Sequence, residues 1–104
     1  MANEVTKPIY QGTELKFLLD IESEGFVMAD DDFYIVIKNM KNEKTIRKEE
    51  MLVAEEDKYL FTVDTAELGT GDYWLMVVAY VADSDFDDGL RTEVQKLKLC
   101  TVTS

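Results

Sequence analysis

Residues 73–80 read Tyr-Trp-Leu-Met-Val-Val-Ala-Tyr, apolar at every position, and residues 92–102 form a second long run of strand character. Asp83-Ser84-Asp85-Phe86-Asp87-Asp88-Gly89 joins the two. Side chains alternate between the faces of a strand, so a strand apolar at every position must be covered on both faces. The core of a small domain supplies one cover. The other face is left for a neighbouring segment or a partner, because soluble chains seldom leave a large apolar patch bare.

Upstream, the same periodicity recurs. In residues 14–21, Leu15, Phe17, Leu19 and Ile21 fall on one face and Glu14, Lys16 and Asp20 on the other, as in a half-buried strand. Phe33-Tyr34-Ile35-Val36-Ile37 is β-branched and aromatic throughout, as in a central strand. Residues 38–42 form a turn, and short strands are expected at residues 44–48 and 51–54. After Glu55-Glu56-Asp57, another strand sends Tyr59, Phe61 and Val63 inward. Asp64 is placed to cap one helical turn over residues 65–68, and Gly69-Thr70-Gly71 ends that turn. Pro8 lacks an N–H and suits an edge or lead-in segment, here residues 1–11. Seven or eight short antiparallel strands with regular turns predict an all-β sandwich in one domain, residues 1–104. A chain of 104 residues can bury about 65% of the surface its unfolded form exposes.

Composition removes several classes of function. The formal charge of -11 argues against direct nucleic-acid binding through a basic surface, leaving acidic mimicry of nucleic acid as a distant alternative. With no histidine, Ser-His and Cys-His nucleophile systems and histidine-bound zinc are excluded, and no glycine-rich phosphate loop is present. A small sandwich offers no deep cleft for glycoside hydrolysis by paired carboxylates. The sequence therefore points away from an enzyme. No run reaches the roughly 18 apolar residues of a membrane span, and residues 1–7 lack the apolar core of a signal peptide, so synthesis in a cytosolic compartment and no membrane partner are expected. The single cysteine, Cys100, cannot form an internal disulfide and reads as a buried structural thiol.

Two candidate sites emerge. Asp83, Asp85 and Asp87 have the alternate spacing of the first calcium ligands in an EF-hand loop, and Asp30, Asp31 and Asp32 could join them at one end of a sandwich. The pattern then departs, because Asp88 occupies the sixth position where glycine is required and Val94 the twelfth where a glutamate belongs. The preferred reading is a solvated turn, with Gly89 at positive φ, Phe86 tucked inward and Arg91 offsetting charge. No cofactor is expected, with calcium as the one alternative. The second candidate is the far face of the long strand. If Tyr73, Leu75, Val77 and Ala79 point inward, then Trp74, Met76, Val78 and Tyr80 point out. Tyr34 and Val36 would join them, rimmed by Lys38, Lys96 and Lys98 if Leu97 and Leu99 face the core. Aromatic and methionine enrichment is typical of interface cores, so a protein partner or a homo-oligomer is expected there, unless residues 1–10 cover the face. The bases of residues 38–48 could also approach a neighbour's acids, or simply protect an edge strand.

The order of elements over residues 64–74 resembles the immunoglobulin-like sandwich with its Greek-key connections, in which a turn after the fifth strand leads to Gly-x-Tyr, here Gly71-Asp72-Tyr73. That resemblance implies a corner tyrosine, Tyr73, whose hydroxyl bonds backbone upstream. The antibody hallmarks are absent, since one cysteine makes no bridge and Trp74 lies on the sixth strand. Gln11-Gly12-Thr13-Glu14-Leu15-Lys16-Phe17, Asp32-Phe33-Tyr34-Ile35-Val36-Ile37-Lys38 and Leu68-Gly69-Thr70-Gly71-Asp72-Tyr73 further resemble immunoglobulin-like modules of tailed-bacteriophage virion proteins. Those modules include the N-terminal type of baseplate upper proteins and the capsid-decorating proteins of crAss-like phages. The resemblance implies a non-enzymatic structural protein of a capsid, tail or baseplate, made in the host cytoplasm and carried in the virion. Calcium-dependent or carbohydrate-binding sandwich modules are the alternative.

Overall fold

The computed structural model describes residues 8–54 and 58–104. Among these residues the eight strands are β1 (Ile9–Tyr10), β2 (Glu14–Leu19), β3 (Phe33–Lys38), β4 (Glu43–Arg47), β5 (Leu52–Val53), β6 (Tyr59–Asp64), β7 (Gly71–Ala82) and β8 (Leu90–Thr103). A 3-10 turn, Lys48–Glu50, follows β4, and the short helix α1, Thr65–Leu68, follows β6. The larger sheet has the order β1-β8-β7-β3-β4 and the smaller one β2-β6-β5. The fold is all-β and sandwich-like, with the core between the two sheets.

Alternation accounts for the layers. Tyr73, Leu75, Val77, Ala79 and Val81 of β7 join Phe33, Ile35 and Ile37 of β3 and Tyr59, Phe61 and Val63 of β6 in one buried cluster. Phe26 and Met28, from the segment linking β2 to β3, complete it. Lys48 closes that segment from outside: its Nζ donates to the carbonyls of Ala29 at 3.1 Å and Asp31 at 2.8 Å, and lies over the Phe33 and Tyr59 rings. A lysine whose stem packs on aromatics can satisfy loop carbonyls at little desolvation cost.

Side chains hold the turns in place. The Asp64 carboxylate accepts the N–H of Ala66 at 2.9 Å and caps α1. Fully buried Thr65 accepts the Gly12 N–H at 2.9 Å and donates to the Thr13 carbonyl at 2.7 Å, tying the β1–β2 turn to α1. Gly69, at φ 92°, ends the helical turn in a conformation that L side chains rarely adopt. Its carbonyl accepts the Tyr73 hydroxyl, so Tyr73 makes the upstream backbone bond expected of it. The amides of Asn39 and Asn42 both donate to the Leu68 carbonyl, locking the β3–β4 hairpin onto α1.

Several expectations need correction. The strands are not all antiparallel, because β1 runs parallel to β8, with Ile9 opposite Val102. β1 and β8 come from opposite ends of the chain, so no hairpin constrains their direction, and the turn after β1 carries the chain into the other sheet. The strand expected at residues 44–48 ends at Arg47, because Lys48 begins a 3-10 turn whose Glu50 carboxylate accepts the Arg47 N–H at 3.0 Å. The one at residues 51–54 shrinks to Leu52–Val53. Glu55-Glu56-Asp57 and residues 1–7 lie outside the described residues.

Candidate functional site

The outward face of the larger sheet is built in rows set by the strand registers. One row crosses Arg47, Tyr34, Val78 and Val94; the next crosses Thr45, Val36, Met76 and Lys96; the third crosses Glu43, Lys38, Trp74 and Lys98. A bulge beside Trp74, opposite Leu99, keeps Lys96 and Lys98 on this face despite the odd residue. All six residues expected to form the patch point away from the core cluster, as alternation requires.

Orientation and exposure differ, however. Val36 and Val78 are only 6% and 4% exposed, covered by their cross-strand neighbours rather than by the core. Tyr34 and Tyr80 lie 6.4 Å apart with their rings tilted, and the Arg47 guanidinium sits 5.8 Å over Tyr34. The two valines thus support the face and offer a partner little surface of their own. Burial beside Tyr34 pushes the Tyr80 phenol up from its ordinary pKa. Trp74 is the open element, at 45% exposure. It walls a depression of 220 Å³ with Lys38, Leu75, Met76 and Lys96, nearly all of it apolar. At its border, Lys98 reaches Asp72 at 3.2 Å. The Asp72 carboxyl is held below its usual pKa by the Thr101 hydroxyl and Lys98.

The basic hairpin is less free than its sequence implies. Lys48 is committed to the Ala29 and Asp31 carbonyls, Lys44 lies 3.6 Å from Glu67, and Arg47 covers Tyr34. Lys38 and Lys41 are exposed.

The acidic loop does not gather its carboxylates. One Asp83 oxygen accepts the Asp85 N–H at 3.0 Å and the other the Arg91 guanidinium, while Asp88 accepts the Leu90 N–H at 3.0 Å. Among the described residues no three acidic or cysteine side chains are arranged to hold a metal. The Asp32 carbonyl accepts the Tyr80 N–H, so residues 30–32 do lie at the same end of the sheet as this loop. Gly89 takes its positive φ, 75°. Phe86 does not tuck inward: it is 47% exposed, because the loop is a hydrogen-bonded hairpin tip with no core beneath it.

Arg91 links this tip to the sandwich, since it also pairs with Glu93 at 3.0 Å, and Glu93 accepts the Ser23 hydroxyl at 2.7 Å. The Asp85 N–H and Arg91 hold the Asp83 carboxyl low, and the Ser23 hydroxyl and Arg91 do the same for Glu93. A carboxyl whose pKa is depressed by folding adds stability that is complete above its unfolded value, about 4, and is lost as pH falls through the folded value. Thermal midpoints should therefore fall below about pH 4, and the fall should be shallower in Arg91→Gln. Equal pH profiles for the two proteins in thermal melts would count against this network.

One concavity has no counterpart in the sequence reading. Among the described residues, a groove of 260 Å³ runs between the edges of β2 and β8, and its apolar wall includes Phe17, Leu19, Phe61, Leu97 and Leu99. Leu97 faces inward opposite Leu75 as expected, yet stays 45% exposed because it lines this gap. Cys100 is half-buried against the core, and burial pushes its thiol up. No helix among the described residues is long and apolar enough to cross a membrane.

Compared with known proteins, the chain matches no family model, no curated protein and no solved structure.

Proposed function

We propose that this chain is a non-enzymatic interaction module that assembles through the outward face of its larger sheet. The observation that carries the reading is Trp74. A half-exposed tryptophan in an apolar depression, flanked by Lys38 and Lys96 and backed by covered valines, is costly to leave in water and suited to anchoring a contact. Tyr34, Met76 and Tyr80, each half-buried, extend the surface around it.

The strand order supports an immunoglobulin-like reading of the sandwich. The partition into β1-β8-β7-β3-β4 and β2-β6-β5, with the corner bond from Tyr73 to Gly69, fits that topology. Together with the resemblance of residues 11–17, 32–38 and 68–73 to phage virion modules, it makes a capsid, tail or baseplate the assembly to examine first. Function does not follow from fold alone, so the contact surface bears the argument.

Light scattering after size exclusion tests it, on the chain alone and mixed with phage capsid, tail or baseplate proteins. Trp74→Ser should lower association about tenfold or more, as loss of a central anchor does, in a chain whose circular dichroism spectrum remains that of the folded protein. A chain that remains monomeric and whose Trp74 emission is unmoved by those proteins would sink the reading.

A further inference from the structure

The two ends of the β7–β8 ribbon carry complementary features. At one end Lys38, Lys96 and Trp74 enclose the apolar depression. At the other, residues 83–89 present exposed Phe86 among exposed Asp85, Asp87 and Asp88. The tip is pre-shaped: the Asp83 N–H donates to the Gly89 carbonyl at 2.9 Å, and the Gly89 N–H to the Phe86 carbonyl at 2.8 Å. Arg91 fixes its base through Asp83. An aromatic ring held out on such a tip loses little conformational freedom on docking.

Neither feature can satisfy the other within one molecule. Trp74 and Ala82 lie on the same extended strand, about 26 Å apart at ~3.3 Å per residue, and the tip projects beyond Ala82. Contact between them needs a second copy. We propose that copies of this chain associate head to tail, the Phe86 ring of one entering the Trp74 depression of the next while Asp85, Asp87 and Asp88 face Lys38 and Lys96. The depression has the chemistry for this occupant, with an apolar lining for a ring and two exposed ammonium groups for its flanking carboxylates. Glu43, cross-strand from Lys38, and Asp72, held by Lys98, are the acids bordering the row; neither lines the depression. Tip and depression are different surfaces, so the contact is heterologous and repeats into a ring or a filament.

This inference rests on the outward face being the contact surface, and complementation separates the two. Phe86→Ser removes the ring and keeps the depression; Lys96→Glu spoils the depression and keeps the ring. Both positions are exposed, so both variants should melt like the wild type. In sedimentation velocity over a concentration series, the wild type should form oligomers that weaken as salt rises from ~0.05 to ~0.5 M. Each variant alone should associate about tenfold or more weakly. Mixed in equal amounts, they should give a dimer that extends no further, with a blue shift of the single tryptophan. A wild type that stays monomeric overturns the proposal, as does a mixture that forms no dimer. Association that Trp74→Ser abolishes and Phe86→Ser leaves intact also overturns it, while retaining the face as the contact surface.

Discussion

Phe33→Ala should cost about 3–5 kcal/mol, roughly a fifth or more of the stability of a typical domain. Phe33 is fully buried on β3 of the larger sheet, where it meets three separate parts of the fold. Its ring packs edge-on to Tyr59 of the smaller sheet at 5.2 Å and to Phe26 of the β2–β3 segment at 6.1 Å, and the Lys48 ammonium lies 5.7 Å above it. Truncation opens a cavity at the junction of both sheets and removes the aromatic floor under Lys48. Chemical denaturation measures the loss, and Phe86→Ser, changing an exposed aromatic on the β7–β8 tip, serves as the control with an effect within about 0.5 kcal/mol. A loss below about 1.5 kcal/mol for Phe33→Ala would mean that the site collapses around the smaller side chain.

Thr65→Val is the second effect, expected at about 0.5–1.5 kcal/mol although it preserves volume and branching. The hydroxyl of Thr65 is both acceptor for the Gly12 N–H and donor to the Thr13 carbonyl. Valine leaves the Gly12 N–H without a partner, whereas the Thr13 carbonyl still receives the Thr65 N–H at 3.2 Å. Exchange of the Gly12 amide hydrogen should accelerate in Thr65→Val and stay slow in Thr65→Ser, which keeps the hydroxyl. Equal exchange in both variants would show that the hydroxyl is dispensable and that the β1–β2 turn is held by backbone bonds alone.

Much of the architecture is written in short-range pattern. The inward positions of β2, β6 and β7 follow from alternation with a period of two, and the Asp64 cap is readable from its place before Thr65. The Tyr73 hydroxyl bond could be expected from Gly71-Asp72-Tyr73 through its resemblance to the immunoglobulin-like corner. Phe26 and Met28 were not legible as core residues, since they sit in a turn-like segment with no periodicity to mark them. Lys48 likewise looked like one base among five in a charged hairpin; its partners are backbone carbonyls 17 and 19 residues away, which leave no trace in side-chain pattern.

The candidate surface divides in the same way. Residue order alone puts Tyr34 with Val36, and Trp74 with Met76, Val78 and Tyr80, because a strand's side chains alternate whatever surrounds it; the pairing of β3 with β7 joins the two sets into one face. Which of them meet solvent is set by packing across strands. Exposure depends on neighbours brought alongside from distant strands, so Val36 and Val78 are covered while Trp74 keeps an open depression. The same cause left Phe86 outside, on a tip with nothing packed beneath it, and opened the groove between β2 and β8 where the two sheets do not meet.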